Sequence, residues 1–275
     1  MTFHRLIGKS VLSFFREDGL LLAASLSYFT MMALVPFCLF LVALFGQLLG
    51  NHPDFYNFLY GRLSSLFPSA TERIAGDIVN LISHKGLGKV SLLLYGLVSF
   101  QLFLTIEKAL NVIFNIKKKR HILYSVVASL VVITLVIIVI GLSFAAASFI
   151  PLIKELKPYF PGVRLSRVTT FTIGYVLPFI MVLFAMTVVY RVLPRAAVST
   201  RHAFMGACFT TVMLEIGKHA FTWYAVSVSQ FGRVYGPLTA FVLFLVWLYY
   251  SSCLFLIGAG IVYNLGGARK ARGEA

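Results

Sequence analysis

Seven polar side chains that could do chemistry sit inside two long apolar runs, at 90–116 and 204–231. They are Gln101, Glu107, Lys108, Asn111, Glu215, Lys218 and His219. If such a run spans a membrane, placing each ionisable side chain near mid-depth costs about 2.5–3.5 kcal/mol of free energy. The presence of these side chains therefore needs a structural or functional explanation. Carboxylate, ammonium, amide and imidazole groups in this setting can bind or pass a polar molecule, or they can pair with one another.

The spacing places these groups on narrow faces of their helices. At 100° per residue, Gln101, Lys108, Asn111 and Asn115 share one face of the first helix, with Glu107 beside Asn111. On the second helix, Glu215 can reach Lys218 three residues on and His219 four residues on. Two acids balance two bases, so two hypotheses stand side by side. Either the two helices line a polar path, or their charges form neutral pairs that hold helices together.

Known catalytic patterns are absent from the sequence. None of the nine acidic residues falls in an Asp/Glu/His cluster with metal-ligand spacing. We find no Gly-rich phosphate loop, no G-x-S-x-G elbow and no dinucleotide fingerprint. Cys38, Cys208 and Cys253 lie in apolar runs and give neither a disulfide framework nor a zinc spacing. We therefore predict that the chain is not an enzyme and uses no cofactor or metal.

The elements that must position these groups follow from composition. Of 275 residues, 59% are hydrophobic and only 12% are charged, with a mean hydropathy of +0.90. A soluble domain carries about a quarter charged residues, so this exterior must face lipid. Six apolar runs can each cross about 30 Å of hydrocarbon: 20–49, 90–116, 122–150, 168–192, 204–231 and 238–265. The sequence predicts an all-α polytopic membrane protein, with six transmembrane helices in one bundle and one domain over 1–275.

Shorter amphipathic segments flank the first span. Arg5, Lys9 and Arg16 fall on one helical face with apolar residues opposite. This pattern fits a helix in the headgroup layer and equally a short helix packed on the bundle. In the longest connection, 51–89, an apolar stripe and a capping box at 69–72 predict two further short amphipathic helices.

Two prolines lie inside predicted spans. Pro36 falls in the first span and Pro178 in the fourth. Each removes one backbone hydrogen bond, so we predict that each allows a kink in its helix.

The net charge of +15 bears on topology. Basic residues flank the apolar runs, which favours topology signals and contact with anionic lipid headgroups over nucleic-acid binding. Thirteen Lys and Arg residues fall on one side, including Lys-Lys-Lys-Arg at 117–120. Nine fall on the other side, spread over longer segments. We predict a multi-pass protein of the bacterial inner membrane with both termini cytoplasmic, 51–89 external, and anionic headgroups as partners at the cytoplasmic face. Homo-oligomerisation is left open.

Several short segments of the sequence match the pattern of a known protein family. They are Asp18, Ala24-Ser-Leu-Ser-Tyr28, Pro36, Lys108-Ala-Leu-Asn111-Val-Ile, Tyr190-Arg191-Val-Leu-Pro194, Gly206-Ala207, Glu215, Lys218, Phe221, Tyr224, Tyr235-Gly236, Trp247, Tyr249 and Gly258-Ala259. In order and spacing, over nearly the whole chain, they resemble the YihY/BrkB family of bacterial inner-membrane proteins. Members of that family once carried the label ribonuclease BN, which is regarded as an error.

The resemblance implies an architecture more than a mechanism. Proposals for the family centre on transport across the inner membrane, including lipid or lipid-like cargo. One departure is Gly260, where the family often has a glutamate, so no role of that acid carries over. We predict a transporter or lipid-handling protein that is not driven by ATP, with a polar path between spans two and five. The alternative is a structural or assembly protein without transport activity.

Overall fold

The computed structural model describes residues 3–49, 88–116, 126–135, 138–139, 141–142, 176–227 and 239–270. Regular structure in these ranges is helical throughout: α1 (Phe3–Arg16), α2 (Gly19–Leu49), α3 (Gly88–Ile113), α4 (Val126–Leu135), α5 (Leu177–Val192), α6 (Thr200–Ser227) and α7 (Thr239–Lys270). The predicted all-α class is confirmed. The amphipathic helices predicted within 51–89 fall almost entirely outside the described residues, as does most of the predicted third span.

The outward surface of the described helices is apolar. Large hydrophobic side chains are exposed along α2, α4, α5, α6 and α7, among them Leu21, Met32, Val127, Phe184, Trp223 and Phe241. A soluble monomer rarely exposes so much contiguous apolar surface, whereas a membrane protein presents it to lipid. Within the described residues, one helical stretch, Phe241–Gly266, is long and apolar enough to cross a membrane. Shorter apolar helices occur at Gly19–Ala33, Val126–Leu135 and Leu177–Val192, and the count of six spans stays a prediction.

Helix α7 is the centre of the packing. It contacts α1, α2, α3 and α6, while α2 packs on α3 and α5 packs on α6. The buried core follows α7 and its neighbours, and its most completely buried side chains include Leu110, Tyr190, Leu193, Ala203, Ala207, Leu256, Ile261 and Val262. Since lipid tails are as apolar as these side chains, close packing and hydrogen bonds between helices must supply the specificity.

A buried tyrosine joins three of the helices. The Tyr190 hydroxyl of α5 donates to the Phe255 carbonyl of α7 over 2.7 Å. Because a hydroxyl has one proton and a carbonyl cannot donate, the second contact, 2.8 Å to Thr210 Oγ1 on α6, must be donated by the threonine. The rings of Tyr190 and Phe255 also stack, with centroids 5.1 Å apart. One side chain thus fixes α5, α6 and α7 against each other.

Small residues let α6 and α7 approach closely at this junction. A side chain on Gly206 would overlap Val262 and lie 2.9 Å from the Gly258 carbonyl oxygen. A side chain on Gly258 would overlap Thr210 and lie 2.5 Å from the Tyr190 hydroxyl. Such small residues at helix interfaces are typical of membrane bundles, where they allow backbone contact.

Helix α1 packs on the end of α7. Its buried residues are Leu6, Ser10 and Phe14. Ser10 Oγ donates to the Leu6 carbonyl and accepts a 3.0 Å hydrogen bond from Asn264 Nδ2 of α7. Gly260 lies beneath Ser10, so the position where the family often has glutamate is here part of the α1–α7 contact. The sequence left two interpretations of the N-terminal segment. The contacts of its buried face are those of a helix packed on the bundle.

The corner between α1 and α2 is tightly set. Asp18 has a φ of 52°, a left-handed conformation that Asp tolerates better than most residues. Gly19 follows, and a side chain there would overlap the Phe14 ring and carbonyl. The carboxylate of Asp18 also stands at the N-terminus of α2, where the helix dipole favours negative charge. Phe14, Asp18 and Gly19 therefore fix the direction of α1 relative to α2.

Helix α3 ends in a Schellman motif. Asn115 has a φ of 50°, Asn115 N donates to the Val112 carbonyl, and Ile116 N donates to the Asn111 carbonyl. Asn115 thus closes the helix, although the sequence placed it on a polar face with Gln101 and Lys108. The basic cluster at 117–120, which lies outside the described residues, comes directly after this cap.

The two prolines take different positions. Helix α2 is continuous through Pro36. Pro178 is the second residue of α5 as described, and the backbone of Val176 just before α5 is already helical. The residues before 176, which would show a bend at Pro178, lie outside the described part of the chain.

The α5–α6–α7 junction predicts a position-specific effect in one helix. Gly258→Ala should lower the melting temperature clearly, because its methyl group must displace Thr210 or Tyr190 and break their hydrogen bond, costing about 1–3 kcal/mol. Gly266→Ala in the same helix meets no atom closer than His202 Nδ1 at 4.0 Å and should leave stability nearly unchanged. Thermal unfolding of both variants in detergent is the measurement. Equal melting temperatures for the two variants would contradict the junction.

Candidate functional site

The buried charge of α3 is bound to the connection between α5 and α6. Glu107 Oε1 accepts a 2.6 Å hydrogen bond from Arg195 Nε, which makes an ion pair. One turn further along α3, Asn111 Oδ1 accepts a 2.9 Å hydrogen bond from the Arg195 backbone N–H. The three residues form what we call the α3 clamp, which fixes the residues between α5 and α6 on the side of α3.

Burial shows that the clamp is structural. The Glu107 side chain is only 4% exposed and that of Arg195 is 22% exposed. A charge this deeply buried is tolerated only when paired and hydrogen-bonded, and removal of one partner costs about 3–5 kcal/mol. Glu107 and Asn111, two of the predicted path residues, therefore hold parts of the bundle together. Of the four charges that the sequence balances against one another, Glu107 pairs with Arg195, and Lys108 is exposed.

The ion pair of α6 has a different setting. Lys218 Nζ lies 2.6 Å from Glu215 Oε2, so the predicted contact three residues apart forms. The Glu215 side chain is 39% exposed, Lys218 is 56% exposed and His219 is exposed as well. Glu215 lies about 22 Å from the first residue of a helix about 42 Å long, close to its middle. An ion pair that served only to join helices would be buried between them, and this one is open.

A buried hydroxyl lies one turn before this ion pair. Among the described residues, several other hydroxyls in the helices donate to their own backbone, as Thr105 does to the Gln101 carbonyl and Thr187 to the Leu183 carbonyl, whereas the buried Oγ atoms of Thr211 and Ser251 do not. Thr211 is only 2% exposed, and its Oγ1 has no hydrogen-bond partner within the described ranges. Thr211, Glu215, Lys218 and His219 share one side of α6, which we call the α6 polar face.

Within the described residues, the two helices that carry the predicted groups share no extensive packing. Helices α3 and α6 each contact α7 instead. Gln101 and Lys108 of α3 are exposed and do not belong to the clamp. The remaining candidate for a polar path is thus the α6 polar face. In the described part of the chain, no three His, Cys, Asp or Glu side chains gather as a metal site. The expectation of a non-enzyme stays a prediction.

Basic residues collect at one end of the bundle. Ser10 of α1 bonds Asn264 of α7, the Phe114 ring lies against Tyr263, and His202 lies near Gly266. The ends of α1, α3, α6 and α7 therefore meet, and this end carries Arg5, Lys9, Arg16, Arg191, Arg195 and Arg201. Two of the basic groups that the sequence assigns to one side of the membrane, at 5–16 and 191–201, are thus together in space.

Comparison with known proteins decides the family. A family model described as virulence factor BrkB matches residues 11–275. The chain belongs to the BrkB family. The resemblance noted from the sequence is thereby confirmed, and the curated relatives are named as membrane proteins, which supports a membrane location.

Three BrkB relatives give the extent of the similarity. A UPF0761 membrane protein of Legionella pneumophila is 26% identical over 267 residues, which cover 94% of this chain and 61% of that protein. The relative from Haemophilus influenzae is 27% identical over 250 residues, covering 88% of each chain. That from Alteromonas mediterranea is 29% identical, covering 92% and 85%. The chain thus spans about three fifths of the Legionella protein. No solved structure matches the present chain.

Sequence reasoning missed the partners that lie far away along the chain. In the sequence, Arg195 counts only among the basic residues that set the membrane orientation. Nothing in the sequence gives a structural role to Tyr190 or predicts the bond between Ser10 and Asn264. One signal for Arg195 was available in the sequence. Glu107 is an acid inside a predicted span, and Arg195 is a base just after the end of another predicted span, 168–192. Periodicity within one helix could not show which helix lies opposite.

The α3 clamp predicts strong coupling between two distant residues. Glu107→Gln should destabilise the protein by about 3 kcal/mol, because the partly buried Arg195 loses its counter-charge. Glu107→Gln combined with Arg195→Gln should recover part of that loss. Lys108→Gln, an exposed neighbour, should change stability by less than about 0.5 kcal/mol.

Unfolding of the wild type, the single variants Glu107→Gln and Arg195→Gln, and the double variant in the same detergent gives a double-mutant cycle. Lys108→Gln is measured beside them as the control. Losses that simply add in the double variant would show that Glu107 and Arg195 do not interact.

Proposed function

We propose that this BrkB-family chain moves or handles an amphiphilic, polar-headed molecule in the membrane, without ATP hydrolysis. The α6 polar face would receive the polar head. The observation that supports this most is the exposure of the Glu215–Lys218 pair near the middle of a long helix. In contact with lipid tails these charges would be costly, so a polar surrounding or a polar ligand is the favourable alternative.

The pairing of opposite charges favours a particular class of molecule. Glu215 and Lys218 together offer one acceptor group and one cationic donor, which complements a zwitterionic or hydrogen-bonding head group. Ile216 and Trp223 are exposed on the adjoining side of α6 and offer apolar contact for a hydrophobic tail. The combination fits a lipid-like molecule better than a small ion.

The two ion pairs described above differ in burial, which supports a structural role for one and a ligand-binding role for the other. The α3 clamp is buried and accounts for structural pairing, so that role does not have to fall to Glu215 and Lys218. Thr211 adds a buried hydroxyl without a partner in the described residues, an acceptor and donor that a polar ligand or water would satisfy. The second candidate is an assembly role, in which another subunit covers the same exposed face.

Cysteine reactivity distinguishes water from lipid along α6. In a variant without Cys38, Cys208 and Cys253, single cysteines at 215, 218 and 219 should react many-fold faster with a charged thiol reagent than cysteines at 216 and 220. The reactive thiolate forms only where water reaches it. Ile216 and Ala220 are matched controls, because they are also exposed but lie about 60° or more beyond the α6 polar face by helical spacing.

Protein in lipid nanodiscs makes both membrane sides accessible for this measurement. Equally slow labelling on both sides of α6 would contradict a polar path. Disulfide cross-links between two copies at 215 or 219 would favour the assembly role instead.

The proposed orientation places the basic end of the bundle in the cytoplasm, since short basic connections are retained there. A single cysteine at position 201, which is exposed at the start of α6, should label with an impermeant reagent only after cells are permeabilised. A cysteine introduced at 119 should behave in the same way. Rapid labelling of either position in intact cells would reverse the orientation.

A further inference from the structure

Helix α1 has an exposed face that its packing on α7 leaves uncovered. Leu6, Ser10 and Phe14 are buried, whereas Arg5, Lys9, Leu12, Phe15 and Arg16 are exposed. At 100° per residue these five exposed residues fall within an arc of about 120°, opposite the buried side. We call this arc the α1 outer face.

The α1 outer face combines two chemistries in a fixed order. Leu12 and Phe15 are 53% and 58% exposed and lie toward one edge of the arc. Arg5, Lys9 and Arg16 lie toward the other edge, extending over about 16 Å of the helix axis. Apolar side chains beside a basic row are the pattern of a helix at the boundary between acyl chains and headgroups.

In the part of the chain that the structure describes, no acidic side chain forms an ion pair with this row. Glu17, at the end of α1, projects about 80–120° away from the three basic residues by helical spacing and is partly buried. Asp18 stands in the turn that starts α2. Leu20 and Leu21 are exposed as well, in the first turn of α2 directly after the corner. The chain that follows the outer face therefore also presents apolar side chains outward.

The position of α1 is fixed rather than free. The Asn264–Ser10 hydrogen bond, the contact over Gly260 and the closely packed Phe14–Gly19 corner hold it against the bundle. A bound headgroup would therefore stabilise the folded packing of α1 on α7, because a ligand that binds only the folded state raises its stability.

From this arrangement we infer that the α1 outer face is a binding surface for anionic phospholipid. Arg5, Lys9 and Arg16 contact the phosphate groups, and Leu12 and Phe15 insert beside the acyl chains. The charge row selects anionic over zwitterionic lipid, and occupancy couples the lipid composition of that leaflet to the α1–α7 contact. This surface is distinct from the α6 polar face and does not depend on the transport proposal.

The test compares two triple variants in nanodiscs of phosphatidylcholine alone or mixed with phosphatidylglycerol. The α1 variant is Arg5→Gln, Lys9→Gln, Arg16→Gln. The matched control is Lys108→Gln, Arg191→Gln, Arg201→Gln, which removes three exposed charges from other helices. Native mass spectrometry gives the phosphatidylglycerol retained per protein, and thermal unfolding gives the stability.

Wild-type protein should melt at a higher temperature with phosphatidylglycerol, and it should retain that lipid. The α1 variant should lose about a hundredfold in preference for phosphatidylglycerol, since each basic residue near an anionic surface contributes about fivefold. In phosphatidylcholine alone it should melt like the wild type, and the control should keep most of the preference. A further variant, Leu12→Gln with Phe15→Gln, should also lose retention.

Three outcomes would overturn the inference. The first is an α1 variant that retains phosphatidylglycerol as the wild type does. The second is an equal loss in the control, which would assign the preference to the whole basic end. The third is a wild-type melting temperature that is the same in both lipid compositions.

Discussion

The Tyr190 hydroxyl is the contact on which the arrangement of the second half of the chain depends. It reaches Thr210 of α6 and the Phe255 carbonyl of α7 at one point, and it does so because Gly206 and Gly258 allow those two backbones to approach. In a bundle surrounded by lipid, apolar burial does not choose between helix arrangements, so such a buried polar contact has unusual weight. Its position sets α5 and α6 on α7. Because α7 also contacts α1, α2 and α3, the remaining described helices are arranged around the same axis.

The sequence could predict the class of fold because the deciding quantities are local. Apolar run length, charge content and helical spacing each depend on neighbouring residues, and they correctly indicated helices near Gly19–Leu49, Gly88–Ile113, Thr200–Ser227 and Thr239–Lys270. The N-terminal segment shows the limit of such reasoning. Its pattern fitted both packing on the bundle and a place in the headgroup layer. A helix with one face packed on the bundle and a basic face opposite satisfies both. Only the contact between Ser10 and Asn264, 254 residues apart along the chain, shows which side is buried.

The candidate site was predicted by residue type and only partly by role. Polar residues within apolar runs were singled out correctly, yet hydropathy treats Glu107 and Glu215 alike. The structure separates them by their surroundings: one is buried against Arg195, and the other is open beside Lys218. The pair at three-residue spacing was foreseeable because one helix determines it. The pair across 88 residues was not, because it depends on how the connection after α5 folds back over α3.

The residues that carry the family resemblance fall largely on packing contacts. Asp18 forms the α1–α2 corner, Asn111 holds the Arg195 backbone, and Tyr190 and Gly258 form the helix junction. Glu215 and Lys218 differ from these residues, since their ion pair lies within one turn of α6 and is exposed. An exposed pair of charges costs free energy in a membrane protein. Such a cost persists most readily where binding or assembly offsets it, so the search for activity in this chain should begin at the α6 polar face.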